Sequence, residues 1–300
     1  MAEPTFTTGS SPWAEPVTRV GVVGCGLMGS GIAEVCARAG LEVIVAEVDP
    51  VALDQGRKRI ESSLERASRR GKLDDADRTE SLDRIRFSTD LADLADRQLI
   101  VEAVVEDLDA KMNVFSTLDK VVGGDTILAS NTSSIPIMKL AMATGRPQQV
   151  VGIHFFNPVP VMGLVELVPS LLTSDETAGR ASDFAGTALG KKVVWSKDRA
   201  GFIVNALLIP YLLSAVRMME SGFATAADID AAMVEGCAHP MGPLALCDLV
   251  GLDTVQAVAR SLYEEFKEPL FAPPPLLARM CEAGLLGRKR GRGFYEYDLG

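Results

Sequence analysis

The chain has 300 residues, 47% of them hydrophobic, and a formal net charge of −10. Length and apolar content support a large core in one or two domains, and the acidic balance excludes the basic face that a nucleic-acid binder needs. Five cysteines without a C-x-x-C pair speak against a metal or redox motif and for reduced thiols, so the expected compartment is the cytoplasm. No apolar run approaches the roughly 18 residues of a membrane helix.

Residues 1–17 are rich in Thr, Ser and Pro, lack the basic-then-apolar order of a secretory signal, and read as a flexible N-terminal extension. From Arg19 strands and helices alternate. Strands are expected at 20–23, 42–46, 85–87, 99–104, 126–129, 149–154, 164–168 and 193–195, with helices at 28–39, 52–70 and 109–121. The helix over 52–70 turns basic at its end, where residues 66–72 form a patch whose plain reading is a solvated face. After Gly201 the strand signals stop, and 202–221, 226–235, 252–266 and 275–283 read as helices punctuated by Pro240, Gly242 and Pro243. This predicts an α/β domain over 18–200 and an all-helical domain over 201–300.

Gly24-Cys25-Gly26-Leu27-Met28-Gly29 follows an apolar strand and opens a helix. In that setting the first glycine allows a tight turn, the second admits a pyrophosphate, and the third lets helix and strand pack closely. An acidic residue is expected about 20 positions on, to accept the ribose hydroxyls. Glu47 at the end of the next strand is preferred over Asp49, although strand alternation puts both on one face. A carboxylate there favours NAD over NADP, so the first domain is expected to be a Rossmann-type dinucleotide-binding unit.

The chain has two histidines. His154 ends a strand and precedes Phe155-Phe156-Asn157-Pro158, while His239 lies in a turn between helices. Strand ends on the carboxyl edge of an open α/β sheet are where ligands bind. Glu166 interrupts the apolar strand Leu164-Val165-Glu166-Leu167-Val168. It either faces solvent, or is buried and needs a partner. The turn at residues 158–163 would fold it back beside His154, where a carboxylate fixes the imidazole tautomer. Two further polar spots are Ser130-Asn131-Thr132-Ser133-Ser134, which also reads as a helix cap, and Asn205 within an apolar run.

Together these segments resemble the 3-hydroxyacyl-CoA dehydrogenase family. The likeness runs from about Arg19 to the C-terminus and also includes Gly201-Phe202-Ile203-Val204-Asn205, Pro240-Met241-Gly242-Pro243 and Gly291-x-Gly293-Phe294-Tyr295. The length matches the monofunctional branch, close to 3-hydroxybutyryl-CoA dehydrogenases. The resemblance implies that His154 is the base, Glu166 its electrostatic partner, and Ser133 and Asn205 the groups that hold the substrate oxygen. It implies cofactor contacts by Gly24, Gly26, Leu27, Met28, Gly29, Glu47, Glu106, Lys111, Ser133, Asn157 and Lys289. Ser63 and Arg70 match positions that hold the acyl-CoA, with Arg70 in place of a family lysine. A homodimer through the helical domain and a part in β-oxidation are implied as well. A dehydrogenase of free 3-hydroxy or sugar acids is the alternative, and it would have no use for the basic patch.

Overall fold

A computed structural model describes residues 15–298. It divides into two compact units, one ending at Asp198 and one beginning at Arg199.

In the first unit β1 (Arg19–Val23), α1 (Leu27–Arg38) and β2 (Glu42–Ala46) form a βαβ crossover, followed by α2 (Pro50–Arg69), α3 (Asp75–Asp83) and β3 (Ile85–Ser88). Next come β4 (Leu99–Glu102), α4 (Leu108–Val121), β5 (Ile127–Ser130), α5 (Ile137–Ala141), β6 (Val150–Phe155), β7 (Leu164–Pro169), α6 (Asp175–Asp183) and β8 (Lys192–Trp195). The eight strands make one sheet in the order β3-β2-β1-β4-β5-β6-β7-β8. β1 to β6 are parallel, and β7 returns antiparallel to β6. The chain leaves β3 on one side of β1 and resumes with β4 on the other. That reversal is the switch point at which such sheets open a crevice beyond their carboxyl ends.

Apolar strand residues explain the sheet. Val20, Val22, Val43, Val45, Leu99 and Val101 pack with Ile32, Ile60 and Leu64 from α1 and α2. The last three are essentially sealed from solvent, each contributing roughly 2 kcal/mol by burial. Val17 belongs to this core too, so the chain enters the fold one residue earlier than its composition suggested. Residues 1–14 of the expected extension lie outside the described residues. Side-chain caps start the helices. Asp49 accepts the Val51 N–H (2.8 Å), Asp74 that of Asp77 (2.7 Å), Asp107 that of Ala110 (2.9 Å) and Ser174 that of Thr177 (3.1 Å).

The second unit holds α7 (Val204–Glu220), α8 (Ala226–Cys237), α9 (Pro243–Val250), α10 (Leu252–Phe266) and α11 (Pro275–Glu282) around Leu212, Leu213, Val216, Leu244, Leu252 and Val255. The helix α9 departs from the expected punctuation because Pro243 occupies the first helical turn, where its missing N–H costs nothing. Two buried aspartates organise this unit. Asp230 accepts the N–H groups of Leu244 and Ala245 and the Tyr295 hydroxyl, each at 2.8 Å. Asp248 accepts the N–H groups of Phe294 and Tyr295 at 2.9 Å and the Tyr297 hydroxyl at 3.0 Å. The motifs near residues 240 and 295 therefore tie the C-terminal segment to α8 and α9.

Candidate active site

The glycine loop joins β1 to α1. Gly24 has φ +96°, and a Cβ there would meet the Ala103 carbonyl oxygen at 2.6 Å. A Cβ on Gly29 would lie 1.9 Å from the Gly24 carbonyl oxygen, so the helix rests directly on the turn. Above Gly26 there is open space, and no side chain caps α1. The first-turn N–H groups, including those of Leu27 and Met28, thus face a hollow suited to a pyrophosphate. The Arg59 guanidinium donates to the Cys25 carbonyl oxygen (2.5 Å) and steadies the loop from α2.

β2 ends at Ala46, so strand alternation does not reach Asp49. Asp49 spends its carboxylate on the cap of α2, while Glu47 accepts the Cys25 N–H at 3.1 Å. Of the two acids, Glu47 stands beside the loop. Loop, open hollow and acid together fit a dinucleotide.

Three strands farther along the sheet, β6 and β7 put His154 directly opposite Glu166. Imidazole Nδ1 lies 2.8 Å from Glu166 Oε2. Glu166 is 0% exposed and His154 6%, so the solvent-facing option for Glu166 is closed. The Phe156 ring tilts over the imidazole at 4.6 Å. Asn131 Oδ1 accepts the Phe155 N–H (2.9 Å), which ties the loop after β5 to the histidine strand.

That loop is not a helix cap but a wrapping around Glu106. Oε1 of Glu106 accepts the Thr132 hydroxyl (2.5 Å), the N–H groups of Ser133 (2.9 Å) and Ser134 (3.2 Å), and both serine hydroxyls (3.3 and 3.0 Å). Burial works against the charge on Glu106, but Lys111 and these donors outweigh it and hold the carboxyl below its ordinary range. Lys111 itself is an internal residue. Its side chain is 1% exposed and ends on Glu102 (2.6 Å) and Glu106 (3.3 Å). Lys111, a cofactor contact by the resemblance, directs its ammonium at these two carboxylates.

Between α1 and α2 runs a groove of about 500 Å³, lined among others by Lys58, Arg59, Ser63, Arg66 and Asn157. Glu34, almost fully buried, lines it too. Burial, against the pull of Ser63 and Arg38, pushes the Glu34 carboxyl up. Arg70, expected beside Ser63, is exposed at the end of α2 and is not among the lining residues; Arg66, one turn earlier, is.

Family models match both units. Residues 19–199 match the 3-hydroxyacyl-CoA dehydrogenase NAD binding domain, and residues 201–297 match the C-terminal domain of the same family. The chain belongs to the 3-hydroxyacyl-CoA dehydrogenases. It is accordingly an NAD-dependent oxidoreductase, as the glycine loop and Glu47 led one to expect.

Among relatives of this dehydrogenase, a 3-hydroxybutyryl-CoA dehydrogenase of Mycobacterium tuberculosis is 60% identical over 95% of this chain and 100% of its own. The crystal structure of M. tuberculosis FadB2 superposes with a TM-score of 0.94 at 60% identity, covering 95% of this chain and 100% of that one. The (S)-3-hydroxybutyryl-CoA dehydrogenase PaaH1 of Ralstonia eutropha gives 0.89 at 44% identity, over 94% and 99%.

The remaining expected site residues of the dehydrogenase lie in the helical unit. Asn205 is half-buried on the first turn of α7. Lys289 grips Asp253 through both carboxylate oxygens at 2.6 and 2.7 Å. His239 sits 3.1 Å from the Tyr211 hydroxyl, the plain structural reading of that histidine. Sequence reasoning missed Glu102 and Glu34. Glu102 carried the signal that singled out Glu166, an acid inside an apolar strand.

Proposed function

We propose that this dehydrogenase interconverts a short-chain (S)-3-hydroxyacyl-CoA, such as 3-hydroxybutyryl-CoA, and its 3-oxo counterpart, with His154 as the acid–base group. The observation that carries the reading is the buried pair of His154 and Glu166, 2.8 Å apart at the carboxyl end of β6.

Glu166 takes the Nδ1–H, which leaves the lone pair of the neutral ring on Nε2. Nε2 removes the proton of the 3-hydroxyl, and the Glu166 charge stabilises the imidazolium that results. Bound NAD supplies the acceptor for the hydride from C3. In reduction, Nε2–H returns the proton to the substrate oxygen. Ser133 and Asn205 hold that oxygen and keep C3 in line, which hydride transfer requires. Ser133 also borders the nicotinamide, Glu47 holds the adenosine ribose, and Asn157 and Lys289 are further cofactor contacts. Ser63, with Arg66 on the same helix and Arg70 just past its end, holds the nucleotide end of the acyl-CoA. The 3-hydroxybutyryl-CoA dehydrogenases among the relatives support the short acyl chain.

Oxidation in this sense serves β-oxidation, and five free cysteines suit a reducing cytoplasm. A homodimer is supported by apolar residues left exposed on the helical unit, among them Leu207, Met218, Phe223 and Leu249; sedimentation as a single chain would remove it. The decisive experiment is NADH oxidation by acetoacetyl-CoA, with free acetoacetate as the control. Turnover with the thioester alone is expected. NADH binding without turnover of acetoacetyl-CoA would sink the substrate assignment.

A further inference from the structure

Beneath the serine loop lies a second buried pair, for which the mechanism above has no use. Glu102 ends β4 and is 0% exposed. Its Oε1 accepts from the Val104 N–H (2.7 Å) and Lys111 Nζ (2.6 Å), and its Oε2 from the Ser130 hydroxyl (2.6 Å). Lys111 reaches from α4 to Glu102, to Glu106 (3.3 Å) and to the Val104 carbonyl oxygen (3.5 Å). Three acceptors thus surround an ammonium that has three protons.

A buried ion pair is a weak source of stability, because desolvation offsets most of its attraction. What this pair does achieve is visible in its neighbour. Glu106 Oε1 gathers the five hydrogen bonds of residues 132–134, and only an anion accepts that many well. We infer that Glu102 and Lys111 are positioning residues: the pair fixes the place and charge of Glu106, and through it the loop that presents Ser133. The chain of contacts runs Glu102, Lys111, Glu106, Ser133. It crosses from β4 to α4 and back to the end of β5, where Glu102 and Ser130 are also register partners. The inference rests on the reading of Ser133 as the residue beside nicotinamide and substrate oxygen.

The sign of the pH effect follows. The charged groups facing Glu106 are Lys111 from α4 and, behind it, Glu102 from β4; the loop offers the uncharged donors Thr132, Ser133 and Ser134. Lys111 holds the Glu106 carboxyl low, so its removal moves protonation of Glu106 to higher pH. A protonated carboxyl gives up acceptor capacity, and the loop loosens.

Lys111→Met alone strands Glu102 as a buried, unpaired carboxylate and tests folding as much as function. The double variant Glu102→Gln/Lys111→Met removes both charges together. It is expected to fold with a Tm within a few degrees of wild type. It should bind NADH about tenfold more weakly, within the range for residues that act through another. In acetoacetyl-CoA reduction, where the protonated imidazole is the working form, the acid limb of its kcat/KM profile should move up by roughly one pH unit, the low end of the effect of a neighbouring charge. Lys111→Arg, which keeps the charge, should return the limb toward its original place. A folded double variant with wild-type NADH affinity and an unmoved acid limb would overturn the inference. A wild type that binds NADH without reducing acetoacetyl-CoA would instead overturn the substrate assignment, and the NADH-binding arm would still decide this one.

Discussion

Both units bury carboxylates, and they use them differently. In the helical unit Asp230 and Asp248 accept backbone N–H groups and tyrosine hydroxyls. In the sheet unit Glu166 faces an imidazole and Glu102 an ammonium. Backbone donors have no second protonation state within reach, and the two aspartates of the helical unit use them to tie segments of chain together. An acid facing a base or a cation can pass its charge to chemistry next door. The partner, more than the depth of burial, separates the two uses.

The comparison breaks most sharply at His154. His154→Ala should lower kcat about 10³-fold, the usual scale for a lost acid–base group, while NADH still binds; near-wild-type kcat would remove His154 from the mechanism. Glu166→Gln keeps the shape and should cost less, roughly 10- to 100-fold, as the orienting partner is lost. Next in size, Asp248→Ala frees three donors around the C-terminal segment and should destabilise the protein by about 3 kcal/mol. Denaturant unfolding measures this, and a loss below about 0.5 kcal/mol would contradict a clamp. Smallest is Glu47→Ala, expected to raise the KM for NADH about tenfold by loss of a charged hydrogen bond and to narrow the preference over NADPH. Unchanged cofactor selectivity would return attention to Asp49, despite its place at the cap of α2.

The strands were legible because their apolar runs are short and bounded by glycines and charges; β2 and α10 even begin and end where pattern puts them. The helix α3 was not, since its sequence is almost entirely polar and has no apolar period to detect. The helix α9 was hidden by a proline that starts it. In the site, the loop, Glu47 and His154 announce themselves locally. The opposition of Glu166 and His154 could be anticipated from the turn between their strands. The grip of Glu106 on residues 26 to 28 positions away could not, because no pattern along the chain encodes that meeting. Glu102 was legible in principle and was passed over, since its cation arrives from a separate helix.

Cys25 stands in the middle of the glycine loop, where a reactive thiol would be a liability. It is 1% exposed, and Gly56 of α2 presses so close that a Cβ there would lie 1.9 Å from its sulfur. Burial raises its pKa, which the Ser30 contact and Arg59 only partly oppose. Thiolate is the species that peroxides and electrophiles attack. A missing side chain on one helix therefore gives the nucleotide site chemical armour: oxidants and alkylating agents that poison exposed thiols find no purchase there while the fold is closed.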